Sequence, residues 1–306
     1  MISWRYHLVS IVAVILAVAL GVLAGATVVG DRFVDQLRVQ TENAQRRADA
    51  ADAEAAKLRG FTNEAVQYLT AGALVGTTGV TPEVVLVTQD PVDGEMRDQV
   101  VQSLEAAGGH VVAQLTATSK LTDAGEEARL ATLVGRPGLE ASELPAALAV
   151  RIGARLKGLA PHGDGNDLLD ELDPFVVVEP ARDVDVHDVG GPSTIVVVFA
   201  NDTGEPSLDP AAFLVPFTGE LVKSPTMDVA AGEGSVSELG FVAAVRDDGD
   251  LFPDGALVTV DDLDDAIGRA AMVLGLANLV ETPGDGGDYG VNGDGYLPAP
   301  PSGLAA

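Results

Sequence analysis

The sequence predicts an α/β protein: an N-terminal transmembrane helix and a coiled-coil stalk, followed by a mostly parallel sheet with helices on both faces. Three features predict this. Leu8 to Val29 are 22 consecutive positions without a charge. Asp31 to Gly72 contain no proline and place small or apolar residues at heptad spacing. Beyond Gly72, short β-branched runs alternate with helical stretches, as strands joined by crossover helices do. The implied divisions are a membrane anchor over 1–30, a stalk over 31–72, an acidic α/β domain over 73–283 and a flexible Gly/Pro-rich tail over 284–306.

The anchor comes first. At 1.5 Å per residue, 22 residues give about 33 Å of helix, enough for a hydrocarbon core of about 30 Å. Arg5 and His7 precede the run, and Asp31, Arg32 and Asp35 follow it. The unopposed Arg5 and the amino group favour a single pass with the N-terminus cytoplasmic and the rest outside. Ala24-Gly25-Ala26 also fits a signal-peptidase site, but a cleaved signal has an apolar core of about 7–15 residues, shorter than this one. Either reading exports the C-terminal body. Gly21 and Gly25 form a small-xxx-small pair that would let two such helices pack closely.

In the stalk, every seventh residue gives Leu37, Ala44, Ala51, Leu58 and Ala65. The offset row is Val34, Thr41, Ala48, Ala55, Thr62 and Leu69. These rows fit the a and d positions of a coiled coil, with the charged residues elsewhere. A seam this rich in alanine buries little area, so it needs a second copy of the chain, a partner helix or its own domain to hold it. Periodicity does not choose among these.

In the body, strands are expected at Val84 to Thr88, His110 to Leu115, Phe175 to Glu179, Thr194 to Phe199, Met227 to Ala230 and Leu257 to Val260. Helices are expected at Glu95 to Ala107, Leu144 to Leu159, Asn166 to Leu172, Asp209 to Val222 and Asp264 to Val280. Ile195-Val196-Val197-Val198 is apolar on both faces, as a strand between two helical layers should be. A ligand would then sit beyond the carboxyl ends of the strands, near Gln89, Asp90, Glu179, Ala200, Asn201 and Asp202.

Composition narrows the chemistry. Residues 1–70 carry seven basic and seven acidic side chains, so the whole net charge of −28 belongs to the body. A surface this acidic repels phosphate backbones, which excludes sequence-independent nucleic-acid binding. With no cysteine there is no disulfide, thiolate metal site or thiol catalysis. His7, His110, His162 and His187 never fall at ligand spacing, and the four methionines are scattered. Phosphate-loop, nucleophile-elbow and paired-histidine zinc motifs are all missing. Gly284 to Gly295 fails the calcium-loop pattern, with Gly290 where the first Asp belongs. Asp261 and Asp262 are expected to cap the following helix, with Asp264 and Asp265 charging its first turn. The sequence thus predicts neither catalytic residues nor a cofactor.

Two stretches resemble a known family. One is Met1-Ile2-Ser3-Trp4-Arg5-Tyr6-His7, leading through the apolar run to Ala19-Leu20-Gly21-Val22-Leu23-Ala24-Gly25. The other is Thr259-Val260-Asp261-Asp262-Leu263-Asp264, the helix from Gly268 to Val280, and Gly287-Asp288-Tyr289-Gly290. Both are similar to the actinobacterial MctB family of copper transport proteins, described as a membrane helix, a coiled coil and an extracytoplasmic domain. The resemblance implies a role in copper efflux or homeostasis, copper as its metal, and an outer-membrane location for some members. The residues alone suggest an alternative: a non-catalytic scaffold presenting its acidic module to envelope partners. Relatives of the family also resemble a cell-division factor that controls a peptidoglycan hydrolase with a membrane-bound partner.

Overall fold

A computed structural model describes residues 4–76, 79–91, 93–136, 138–158, 167–200, 208–235 and 240–301; within the first helix, side chains are described for 7–23 and for part of the remainder. The chain forms two units, Met1–Phe61 and Thr62–Ala306.

The first unit is helical. It belongs to α1, Trp4–Thr70, one helix that takes in residues of both the predicted anchor and the predicted stalk. Among the described residues no helix is long and apolar enough to cross a membrane. In the stretch 7–23 of α1, where every side chain is described, the large apolar residues run from Leu8 to Leu23. The predicted membrane span is therefore not supported by the described residues; what they show is an apolar helical surface. It is exposed on every side, from Leu8 at 45% to Leu23 at 68%.

The second unit is built on a seven-stranded sheet. Its strands are β1 (Glu83–Gln89), β2 (His110–Ala117), β3 (Val176–Pro180), β4 (Ile195–Ala200), β5 (Asp228–Glu233), β6 (Val258–Val260) and β7 (Gly287–Tyr289). They lie in the order β3-β2-β1-β4-β5-β6-β7, parallel except for β3. Alternation along each strand divides the core in two. Val84, Leu86, Ile195, Val197 and Val258 pack with α2 (Gly94–Ala106) and α7 (Ala266–Glu281). Val85, Val87, Val196, Val198 and Val229 pack with α3 (Glu127–Val134), α4 (Leu144–Leu156), α5 (Leu214–Leu221) and α6 (Phe241–Asp247). The sheet is therefore enclosed by two helical layers, which explains why its central strands are uniformly apolar.

β3 corrects one expectation. Two helices, α3 and α4, occupy the β2–β3 connection, so the chain returns to the sheet edge it left. There the Thr118 amide donates to the Phe175 carbonyl at 2.9 Å, and β3 runs back antiparallel with Glu179 opposite Gln114. Glu179 thus sits away from the carboxyl ends of the parallel strands. The segment from Leu168 to Glu171 is a short 3-10 turn, where a helix beginning at Asn166 was expected; Asn166 lies outside the described residues. The Gly/Pro-rich segment expected as a tail holds β7, and its Ala299 carbonyl accepts from Asn278 Nδ2 at 3.0 Å.

Candidate functional site

The carboxyl ends of β1, β5 and β6 bring together the polar groups that a sheet-edge ligand would meet. Order reverses between β1 and β4, the place where α/β sheets open a crevice. Thr88 and Gln89 end β1 there, each 2% exposed, and Gln89 Nε2 donates to the Leu208 carbonyl at 2.8 Å. Thr88 Oγ1 and Gln89 Oε1 have no hydrogen-bond partner among the described residues. Asp90 follows at the surface, and Asp93 caps α2 by accepting from Glu95 and Met96 amides at 2.8 and 3.4 Å. Ala200 ends β4; Asn201 and Asp202 lie outside the described residues.

At the end of β5, Glu233 is 3% exposed and accepts from the Phe241 and Val242 amides at 3.1 and 3.4 Å. It caps α6 from eight residues upstream, because the N-cap itself is Gly240. A Cβ at Gly240 would run into this carboxylate. At the end of β6, Asp261 departs from its expected role. Its two oxygens accept from the Val291 and Asn292 amides, both at 2.8 Å, and Oδ2 also from Arg246 Nη1 at 3.0 Å. Arg246 reaches Thr259 Oγ1 at 2.6 Å and the Tyr289 carbonyl at 2.8 Å. Asp261 therefore clasps the segment after β7 instead of capping α7. The cap is Asp265, whose Oδ1 accepts from the Ile267 amide at 3.1 Å in extended backbone geometry.

Asp262 has a buried Oδ1 without a hydrogen-bond partner among the described residues. Burial, then the charges of Asp261, Asp265 and Asp264, push its carboxyl up to about 6. A carboxyl raised on folding penalises the folded state above that value, and the penalty fades as pH falls from about 6 toward 3.8. Asp262→Asn is therefore expected to raise the urea midpoint at pH 7.5 and to change it little at pH 4. An equal gain at both values would show that charge is not the cause.

Sequence reading missed a buried pair on the other side of the sheet. The side chains of Arg155 and Asp167, each 4% exposed, meet side-on, with Arg155 Nε at 2.8 and 2.9 Å from the two carboxylate oxygens and Nη2 on the second. The residues are separated by only 12 positions, but nothing in a linear pattern marks them as partners.

The expected packing residues are placed as follows. Gly21 lies in α1 with no atom within 4 Å of a Cβ built there. Ala44, Ala51 and Leu58 are exposed, and Ala65 is half-buried in the second unit. The surroundings of Gly25 and the side chain of Leu37 lie outside what is described.

Among the described residues the soft donors do not converge. Met96 and Met272 are buried in one core layer and Met227 in the other. His7 and His110 are exposed, while His187 is engaged through Nδ1 with Asp185 at 2.6 Å; His162 lies outside the described residues. Among the described residues no group of three or more His, Asp or Glu is arranged to hold a metal ion. Copper prefers thiolate, thioether or imidazole ligands, so these residues do not fit a tight copper site.

The architecture defines a class: an enclosed, mostly parallel α/β module preceded by one long helix whose first turns are apolar all round. The family described as "Copper transport outer membrane protein, MctB" matches residues 1–299. The chain belongs to the MctB family. The proteins named "Copper transporter MctB" of Mycobacterium bovis and of two Mycobacterium tuberculosis strains are each 27% identical to it over 320 residues, covering 97% of this chain and 97% of their own. Copper transport is what the family and these relatives are named for, in agreement with the resemblance carried by the two ends of the sequence.

Proposed function

We propose that this chain serves copper efflux or homeostasis at the cell envelope. In this reading the first turns of α1 hold it to a membrane, and its acidic body works on the extracytoplasmic side without catalysis. The observation that carries the copper assignment is the family match over residues 1–299. The membrane seat is supported by the first unit. Eleven large apolar side chains between Leu8 and Leu23 are exposed, and leaving them in water would forgo roughly 15–30 kcal/mol by transfer bookkeeping. A helix apolar on all sides belongs in lipid or inside protein, and in sequence the uncharged run continues to Val29.

The test uses cells lacking the chain, grown in copper and complemented with the full chain or with one deleted for residues 8–29. Total cell copper, read by mass spectrometry, is expected to rise several-fold without the chain and to return only with the full-length form. Unchanged copper would sink the copper assignment, and rescue by the deleted form would sink the membrane requirement. Alkaline carbonate extraction reads the seat directly: the full chain should stay in the pellet and the deleted form should not.

A further inference from the structure

A cleft opens at the amino ends of β1, β4 and β5, on the sheet edge opposite the polar groups described above. Its volume is about 700 Å³, within the range of about 300–1,000 Å³ typical of small-molecule sites. Leu74, Leu279 and Val280 give it apolar walls. Pro82, Pro192, Pro225 and Pro283 frame it, and each fixes its own φ, so the opening is rigid before anything binds.

Two further features of the cleft are unexplained by packing. The first is Asp228, which lines it and opens β5. Its carboxylate makes no hydrogen bond or ion pair among the described residues. Burial alone raises its pKa, with no neighbouring charge or donor contributing. A half-buried carboxylate without a partner is costly, and most such groups are compensated. The second is Ser193, the one described residue other than glycine with positive φ, at 71°. That conformation is disfavoured for any residue that carries a Cβ. It is pinned where the Ser193 amide donates to the Thr226 carbonyl at 2.8 Å, and both residues line the cleft. Strain, an uncompensated carboxylate and a preformed apolar cavity thus coincide.

We infer that this cleft binds a small cationic amphiphile: an apolar body in the proline-framed cavity, with one protonated amine set against the Asp228 carboxylate. The amine would supply the donor and counter-charge that Asp228 lacks, and the apolar walls would exclude water from the pair. Glu83 at the exposed rim and the strongly negative body attract such a cation from solution. An anionic ligand is disfavoured by the same charges. This site is separate from the copper reading and stands or falls independently of it.

The test is calorimetric titration of the full chain in detergent with 4-phenylbutylamine, set beside its neutral analogue 4-phenyl-1-butanol in matched micelles. One saturable site per chain is expected for the amine, with the alcohol at least tenfold weaker. Asp228→Asn should weaken the amine at least tenfold and leave the alcohol unchanged. Thr226→Trp, at an exposed position on the cleft wall, should block both without disturbing the core. Circular-dichroism melts confirm that each variant is folded. Absence of a saturable site, amine binding by Asp228→Asn equal to that of the native chain, or undiminished binding to Thr226→Trp would each overturn the assignment.

Discussion

Arg155→Met is expected to cost about 3–5 kcal/mol of folding stability, the penalty for leaving one member of a buried ion pair alone. Arg155 does more than meet Asp167. Its Nη1 donates to the Val189 carbonyl at 3.1 Å and its Nη2 to the His187 carbonyl at 2.9 Å, so one guanidinium joins the end of α4 to two later loops. Methionine keeps much of the apolar stem but supplies no donor, leaving a carboxylate and two carbonyls unpaired. The pH dependence follows from Asp167. Burial pushes its carboxyl up, but the Arg155 hydrogen bonds and the Leu169 amide outweigh that and hold it below the usual carboxylate range. A depressed folded value stabilises above the unfolded value and is lost as pH falls through the folded one. The native pair should therefore be at full strength at neutral pH and fade in strong acid. In Arg155→Met the lowering partners are largely gone, so the deficit should be largest near pH 7 and shrink toward pH 3. Urea unfolding at these two pH values reads it. A loss below 1 kcal/mol at pH 7 would show that the pair does not hold these loops. Arg155→Met with Asp167→Leu should recover part of the loss, because no charge then remains buried.

Asp261→Ala is expected to cost about 3 kcal/mol, with the effect concentrated after β7. The carboxylate, 3% exposed, accepts three hydrogen bonds, and its loss strands two amides while leaving Arg246 with only the more distant Asp288 at 3.6 Å as a carboxylate. Native-state hydrogen exchange should show the Val291 and Asn292 amides losing protection by orders of magnitude, with β1 and β4 changed only by the global loss. Asp261→Asn keeps one acceptor oxygen and should fall between. A uniform loss across the sheet would mean that Asp261 supports the whole body and not this clasp.

Much of the architecture was legible because the two layers impose it on side-chain type. The runs at Val84 and Ile195 are apolar on both faces, and six of the strands follow from such runs. What escaped has identifiable causes. β7 is Gly-Asp-Tyr, with no β-branched residue, and is held by Arg246 and Thr259 from far back in the chain. α6 carries no local cap signal, since its donors are satisfied by Glu233 across the preceding loop. α3 was legible and overlooked: Leu130 and Val134 stand one turn apart, and Gly135 closes the helix at φ 68°. Missing α3 hid the second pass of the β2–β3 connection, and with it the reversal of β3. In the run from Asp261 to Asp265, composition shows that some carboxylate caps α7. Which one depends on where the backbone turns, and that is set by the contact with Val291 and Asn292. The cleft at the amino edge leaves no motif, because Leu74, Asp228 and Leu279 converge only when the sheet is formed.

The placement of β1 has a consequence for how the polypeptide acquires its shape during synthesis. Val84 lies beside Ile195 in the register, so the innermost pairing joins residues more than a hundred positions apart. Translation at about 5–20 residues per second separates their emergence by roughly 6–22 seconds. Through that interval the earliest strand waits without its inner neighbour, and long-range pairing of this kind also closes slowly. The leading helix is thereby complete well before the remainder of the chain can lock around its sheet.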